Sequence, residues 1–353
     1  MTQTPDLYSM TLAELTEYVS SIGERSFRAK QIYEGIYSGT PIGEISNLPK
    51  PLRQRLVCET LDTLPRIEAK LVSRIDGKIK YLFWIYDGAC IESVLMKDKH
   101  GNTLCISSQV GCRMGCRFCA STIGGKERDL LPSELIGQII AAQRDSGERV
   151  SNVVMMGIGE PLDNFDNVVK FLRLVNEEGG LNIGYRHISL STSGIVPKIR
   201  ELAELAFPIT LSISLHAATD AARSEIMPIN KKWNIAELLS ACNDYYAKTG
   251  RRISFEYTLI HGKNDSDSDA VALATLLTSS LGRDVPIHVN LIRVNEVKET
   301  GFSAGSAEGA NRFADILNKR GVVATVRRRL GADVNAACGQ LRRQSQTAKE
   351  EKL

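Results

Sequence analysis

Apolar positions along this chain change their spacing twice. From Thr11 to Ile22 and from Ala29 to Tyr37 they recur every three or four residues, which predicts two amphipathic helices. Pro49-Lys50-Pro51 then punctuates the chain ahead of a third helix around Leu52 to Thr60. Between Ile67 and Tyr86 the period drops to two, broken at Asp76-Gly77, as in a pair of strands joined by a turn. These features predict a small helical module with a hairpin linker over residues 1–86.

Beyond Cys90 strand-like and helix-like runs alternate. Strands are predicted at Thr103–Ser107, Asn152–Met156, His187–Ser191, Ile209–Ser214, Ile253–Leu259 and Ile287–Ile292. Helices are predicted between and after them, at Ser133–Asp145, Asn167–Glu177, Ile199–Leu205, Ile235–Lys248, Asp269–Leu281 and Glu308–Arg320. Six such units argue for an α/β fold, a parallel sheet curled into a partial (β/α)6 barrel over residues 87–345 with a polar tail at 346–353. In such barrels chemistry gathers where strands end and loops begin.

The loop after the first of these strands carries the strongest chemical signal. Cys112, Cys116 and Cys119 stand in a Cx3Cx2C run, so three thiolates can hold three irons of a [4Fe–4S] cluster and leave the fourth open. Zinc is the alternative, but structural zinc takes four closed ligands, there is no second CxxC pair, and the five His are scattered. Other motifs fall at strand ends: Gly157-Ile158-Gly159-Glu160-Pro161, Ser191, Ser214-Leu215-His216 and Asn295. Glycines there let backbone approach a ligand, and Glu160 can accept a hydrogen bond from an amino group. Two further thiols stand out. Cys105 lies on the first strand, and Cys338 sits in Asn335-Ala-Ala-Cys-Gly, where small neighbours give a nucleophile access. Cys58, Cys90 and Cys242 lie within apolar patterns and read as small core residues.

Bulk composition narrows the class. The 353 residues are 43% hydrophobic and 24% charged, which suits a globular protein with a large core. No apolar run approaches a membrane span and the first residues lack a signal-peptide pattern, so the expectation is a cytoplasmic protein without a membrane partner. Eight Cys in a reducing compartment point to metal binding or catalysis. The formal charge of +3 says little, but Arg320 to Ser345 holds six Arg against one acid, Asp333, a local excess of +5. That is the footprint of a nucleic-acid partner or a solvated basic tail.

The stretch from Cys105 to Cys119, together with MMGIGEP, SLSTSGIVP, SISLH, MPIN and NAACGQL, resembles the RlmN/Cfr family of radical S-adenosylmethionine RNA methyltransferases, in order and from Tyr37 to Arg343. The resemblance implies a radical S-adenosylmethionine barrel with an N-terminal RNA-contacting domain, acting on 23S ribosomal RNA and on transfer RNA. It implies a cluster on Cys112, Cys116 and Cys119, and S-adenosylmethionine on Gly159, Glu160, Ser191, Ser214, Leu215, His216 and Asn295. It further implies Cys338 as methyl carrier, Cys105 as the thiol that resolves a protein–RNA adduct and leaves a disulfide, and Glu92 as proton acceptor. It implies two S-adenosylmethionine molecules per turnover and a flavodoxin or ferredoxin as reductant, and the expected state is a monomer. Adenine carbon 2 is the implied target, because Pro161 after Gly159-Glu160 is RlmN-like. Arg293 follows Asn290-Leu291-Ile292 as in Cfr, which methylates carbon 8. A non-catalytic iron–sulfur RNA-binding factor is the reading from another class.

Overall fold

The computed structural model describes residues 4–99, 101–282, 284–295 and 299–327. The chain begins with α1 (Leu12–Ser21), α2 (Phe27–Tyr37) and α3 (Lys50–Glu59). A capping box starts α1: Thr11 Oγ1 accepts the Glu14 N–H while the Glu14 carboxylate accepts the Thr11 N–H. Leu15, Val19, Ile32, Tyr33, Ile36, Leu52 and Leu56 turn inward and share one apolar core with the sheet that follows. Cys58 does not. It is exposed, because it lies two residues past the buried Leu56, about 200° further round α3.

The predicted hairpin forms as β1 (Arg66–Val72) and β2 (Ile79–Trp84), and continues into β3 (Cys90–Met96) and β4 (Asn102–Cys105). A separate two-stranded ribbon, β5 (Gln109–Gly111) with β6 (Lys126–Asp129), brackets the cysteine loop. Strands and helices then alternate: α4 (Pro132–Ser146), β7 (Val150–Met155), α5 (Phe165–Asn176), β8 (Ile188–Thr192), α6 (Val196–Glu204) and β9 (Thr210–Ser214). After β9 come α7 (Asp220–Ile226), α8 (Ile235–Thr249), β10 (Ile253–Leu259), α9 (Asp267–Ser280), β11 (Ile287–Arg293), α10 (Ala307–Lys319) and β12 (Val323–Val326).

Among the described residues, ten strands make one sheet in the order β1-β2-β3-β4-β7-β8-β9-β10-β11-β12. Pairings up to β4 are antiparallel and all later ones parallel. The sheet curls without closing, so the expected partial barrel is present. It carries β12 as a seventh parallel strand, one more than the pattern of apolar runs predicts.

The register gives the sheet two unlike faces. Leu104, Val153, Leu190, Leu211, Ile213, Phe255, Val289 and Leu291 pack under the helices. Their neighbours in sequence line the inner face, where Ser189 Oγ meets Ser212 Oγ at 3.0 Å and Asn290 Nδ2 donates to Glu256 Oε1 at 2.9 Å. The lumen is therefore polar, and the chemistry-bearing residues open into it at the carboxyl ends of the parallel strands.

Candidate active site

The cysteine loop is held from several sides. Gly111 has φ of 78°, and a Cβ there would stand 2.0 Å from Gly125 O, so only glycine allows the two arms of the β5–β6 ribbon to meet. The Cys112 N–H donates to Gly125 O at 3.0 Å and the Cys119 N–H to Cys116 O at 3.1 Å. Thr122 Oγ1 donates to Cys119 O at 2.9 Å and lies 3.2 Å from Cys116 O. Outside the loop, Asp163 collects Gln109, Arg113 and Lys126 on its carboxylate.

Cys112, Cys116 and Cys119 line one cavity together with Gly157, Gly159, Glu160, Ser191, Ser193, Ser214, His216, Glu256 and Asn295. Burial pushes the Cys112 thiol up to about 12 and the Cys116 thiol well above its ordinary value, and the neighbouring acids and thiols add to both. Buried thiols of this kind become thiolates when a cation sits among them. Among the described residues no three His, Cys, Asp or Glu side chains converge as ligands of a single ion. A cubic cluster takes one thiolate at each of three corners, a wider placing.

The wall facing the cysteines is made by strand ends. Beyond β7 the chain passes so close to the β4–β5 connection that a Cβ on Gly157 would meet Ile106 O at 2.6 Å, and one on Gly159 would meet Ser108 Oγ at 2.6 Å. Glu160 is buried; its Oε1 accepts the Leu162 N–H at 3.1 Å and its Oε2 the Ser193 N–H at 2.6 Å. Burial raises its pKa against the lowering effect of these bonds. Ser191 Oγ and Ser214 Oγ lie 3.5 Å apart on adjacent strands. Leu215 has its side chain in the core, so it offers the site only backbone.

His216 holds a left-handed backbone, φ of 57°. Its Nδ1 accepts the Thr258 N–H at 2.9 Å, which puts the ring proton on Nε2. Burial, then the charge of Arg223, depress its pKa to about 3, so the ring is neutral at physiological pH. Phe118 of the cysteine loop packs edge-on against it, 4.8 Å between centroids. Ser121 Oγ and Glu256 Oε2 line this cavity, are buried, and have no hydrogen-bond partner among the described residues. Orphaned buried polar atoms beside three thiols fit a site built for a polar ligand next to a metal cluster.

Comparison with known proteins agrees with this geometry. Residues 106–274 match the model of the radical SAM superfamily, and residues 5–60 match that of the ribosomal RNA large subunit methyltransferase N-terminal domain. A probable dual-specificity RNA methyltransferase RlmN from Alkaliphilus oremlandii is 53% identical over 96% of this chain and 97% of its own. Its counterpart in Clostridium botulinum strain Eklund 17B is 53% identical over 96% of both. The chain belongs to the RlmN family. Among solved structures, a radical SAM methyltransferase from Sphaerobacter thermophilus superposes with a TM-score of 0.90 at 42% identity, covering 95% of this chain and 98% of that one.

Residues singled out by the RlmN resemblance outside this cavity are placed as follows. Cys105 is buried on β4, paired with Val94 of β3 and Val154 of β7. Its alternation with Thr103, which lines the lower lumen, turns it inward. Glu92, on β3, is also buried, and its Oε2 lies 3.1 Å from Lys80 Nζ of β2. Cys338 lies outside the described residues, as do Arg328, Arg329, Arg342 and Arg343 of the basic stretch. Arg293 is turned away from the lumen, where its Nε and Nη2 donate to Gly305 O at 3.2 and 2.9 Å. Four residues of or against the cavity escaped the sequence reading: Ser193, Glu256, Thr258 and, behind the wall, Arg223. Their signal is weak, since each looks like an ordinary polar position in a strand, a helix or, for Ser193, the loop after β8.

Proposed function

We propose that this protein is a radical S-adenosylmethionine methyltransferase that forms 2-methyladenosine in 23S ribosomal RNA and in transfer RNA next to the anticodon. The observation that carries the reading is that one cavity is shared by the three-cysteine loop and the strand ends of Glu160, Ser191, Ser214 and His216. In this reading Cys112, Cys116 and Cys119 hold a [4Fe–4S] cluster. Gly159, Glu160, Ser191, Ser214 to His216 and Asn295 bind S-adenosylmethionine beside it, two molecules being used per turnover. When bound, the pair supplies reductive cleavage of the sulfonium and hence a hydrogen-abstracting radical, a step no side chain can perform.

The chain's own residues do the rest. Gly157 and Gly159 bring backbone against the cofactor, and Glu160 holds the β7 and β8 loops in register so that its neighbours face the ligand. Cys338 carries the methyl group as a thioether and delivers its carbon to the adenine. Glu92, held by Lys80, accepts the ring proton. Cys105 attacks the Cys338 sulfur, which frees the RNA and leaves a disulfide for a reductant to reset. A flavodoxin or ferredoxin supplies electrons, and the protein works in the cytoplasm as a monomer. Among the described residues no helix is long and apolar enough to cross a membrane. Carbon 2 is favoured over carbon 8 because Pro161 after Gly159-Glu160 is RlmN-like, against the Cfr-like Arg293.

The test is nucleoside mass spectrometry of 23S ribosomal RNA lacking the modification, after anaerobic incubation with reconstituted protein, S-adenosylmethionine and reductant. The expected product is 2-methyladenosine. Recovery of 8-methyladenosine moves the protein to Cfr chemistry, and cleaved cofactor without methylated base overturns the substrate assignment.

A further inference from the structure

Arg223 lies on α7 and is fully buried, with 0% of its surface exposed. Its Nε donates to Leu215 O at 3.1 Å, and its Nη2 to Ser193 O at 2.7 Å and Ser214 O at 3.1 Å. Nη1 donates to Asn230 Oδ1 at 2.9 Å, within the MPIN motif that the proposed function leaves without a role. Every acceptor is neutral. The nearby Asp220 is engaged elsewhere, with Oδ1 accepting from Asn230 Nδ2 and the Ile235 N–H, both at 2.9 Å. A buried cation facing only dipoles is poorly compensated, and proteins ordinarily pair such charges.

The helix that carries this charge abuts the cysteine loop. Cys116 packs against Ile226 and Met227, and the Arg117 N–H donates to Ile226 O at 2.9 Å, so α7 is bonded directly to the loop. Burial lowers the Arg223 pKa to about 10, against the raising effect of Cys116 and then of Asp220, which leaves it cationic at neutral pH. Reduction adds negative charge to a cluster already made anionic by its thiolates, so a fixed cation alongside favours the reduced form.

We infer that Arg223 is a positioning residue that sets the reduction potential of the cluster, its buried charge offsetting the electron taken up beside Cys116 while its fork fixes the β8 and β9 strand ends. The inference rests on the reading that Cys112, Cys116 and Cys119 hold a four-iron cluster. Its readout is a potential, which a purely structural residue would not move in a charge-dependent way.

The experiment is an anaerobic redox titration, followed by electron paramagnetic resonance, on full-length reconstituted protein as wild type, Arg223→Gln, Arg223→Lys and Asn230→Asp. Arg223→Gln is expected to make reduction at least tenfold less favourable, about 59 mV more negative for a one-electron couple. Arg223→Lys keeps the charge and is expected to stay within threefold of wild type. Asn230→Asp sets a carboxylate against the guanidinium and is expected to shift the potential in the same direction as Arg223→Gln, which keeps the test intact if the glutamine variant does not fold. Clusters of unmoved potential in whichever of these two variants folds overturn the inference alone. A wild-type protein that takes up no cluster removes the cluster reading, and the inference with it.

Discussion

The carboxylate of Glu160 accepts the Ser193 backbone N–H at 2.6 Å, tying the loop after β7 to the loop after β8. Replacing Glu160 with Gln keeps the shape but can turn an amide N–H₂ toward a buried backbone donor. An unmet buried donor costs about 1–3 kcal/mol. S-adenosylhomocysteine affinity, measured by calorimetry on the reconstituted protein, is expected to fall by about tenfold to a hundredfold. Unchanged affinity would show that the bridge does not shape the cofactor wall.

Gly111→Ala tests how the cysteine loop is built. Its Cβ would fall 2.0 Å from Gly125 O on a backbone with φ of 78°, so the β5–β6 ribbon must open. Iron bound per chain after reconstitution is expected to drop well below that of the wild type, while far-ultraviolet circular dichroism stays native. Full iron loading of the variant would refute this account of the loop.

Lys80 and Glu92 form a buried ion pair on β2 and β3. Removing one partner strands the other's charge, so Lys80→Met is expected to lower stability by about 3–5 kcal/mol in urea unfolding. The double variant Lys80→Met/Glu92→Leu should recover most of that loss yet make no methylated adenosine. Activity in the double variant would remove Glu92 from the proton-transfer role.

Burial raises the pKa of both Glu160 and Glu256. The folded state then keeps their protons at pH values where the unfolded chain, titrating near about 4, has lost them. More protons are bound in the native state across that window, so stability falls as pH rises through it. Asp163 has the opposite sign: burial opposes its ionisation, but Arg113, Gln109 and Lys126 win and lower its pKa, so its contribution is lost only as pH falls below the usual carboxylate range. The urea midpoint of the cluster-free protein is expected to decrease as pH rises above the ordinary carboxylate range, less steeply in Glu256→Gln. Identical slopes for the two proteins would contradict it.

The parts of the fold legible in the sequence are those where one face is apolar and the other polar. β10 runs Ile253–Leu259 as its alternation predicts, and α8 begins at a capping box of Asn234 and Glu237 as its spacing requires. β3 is not legible because Cys-Ile-Glu-Ser-Val-Leu-Met over Cys90–Met96 does not alternate apolar with polar, unlike Ile-Ser-Phe-Glu-Tyr-Thr-Leu of β10. β12 is only four residues long, too short for a period to show. In the site, the cysteine spacing and the strand-end glycines were readable because local geometry demands them. Arg223 was not: one arginine on a short helix looks solvent-facing until the ends of β8 and β9 supply the carbonyls that surround it. Cys58 erred the other way, because its apolar neighbours occupy a different side of α3.

The polar inner face of the sheet has a consequence for how freely this scaffold can change. Ordinary eight-stranded barrels fill their centre with branched apolar side chains, so altering the interior costs stability. Here cohesion lies in the outer layer, where Val153, Leu190, Leu211 and Phe255 meet the helices. The interior behaves as a vessel, not a keystone. Its serines and asparagines can be exchanged at little cost in folding energy where hydrogen-bond partners change together, which lets one framework accept new cargo without being rebuilt.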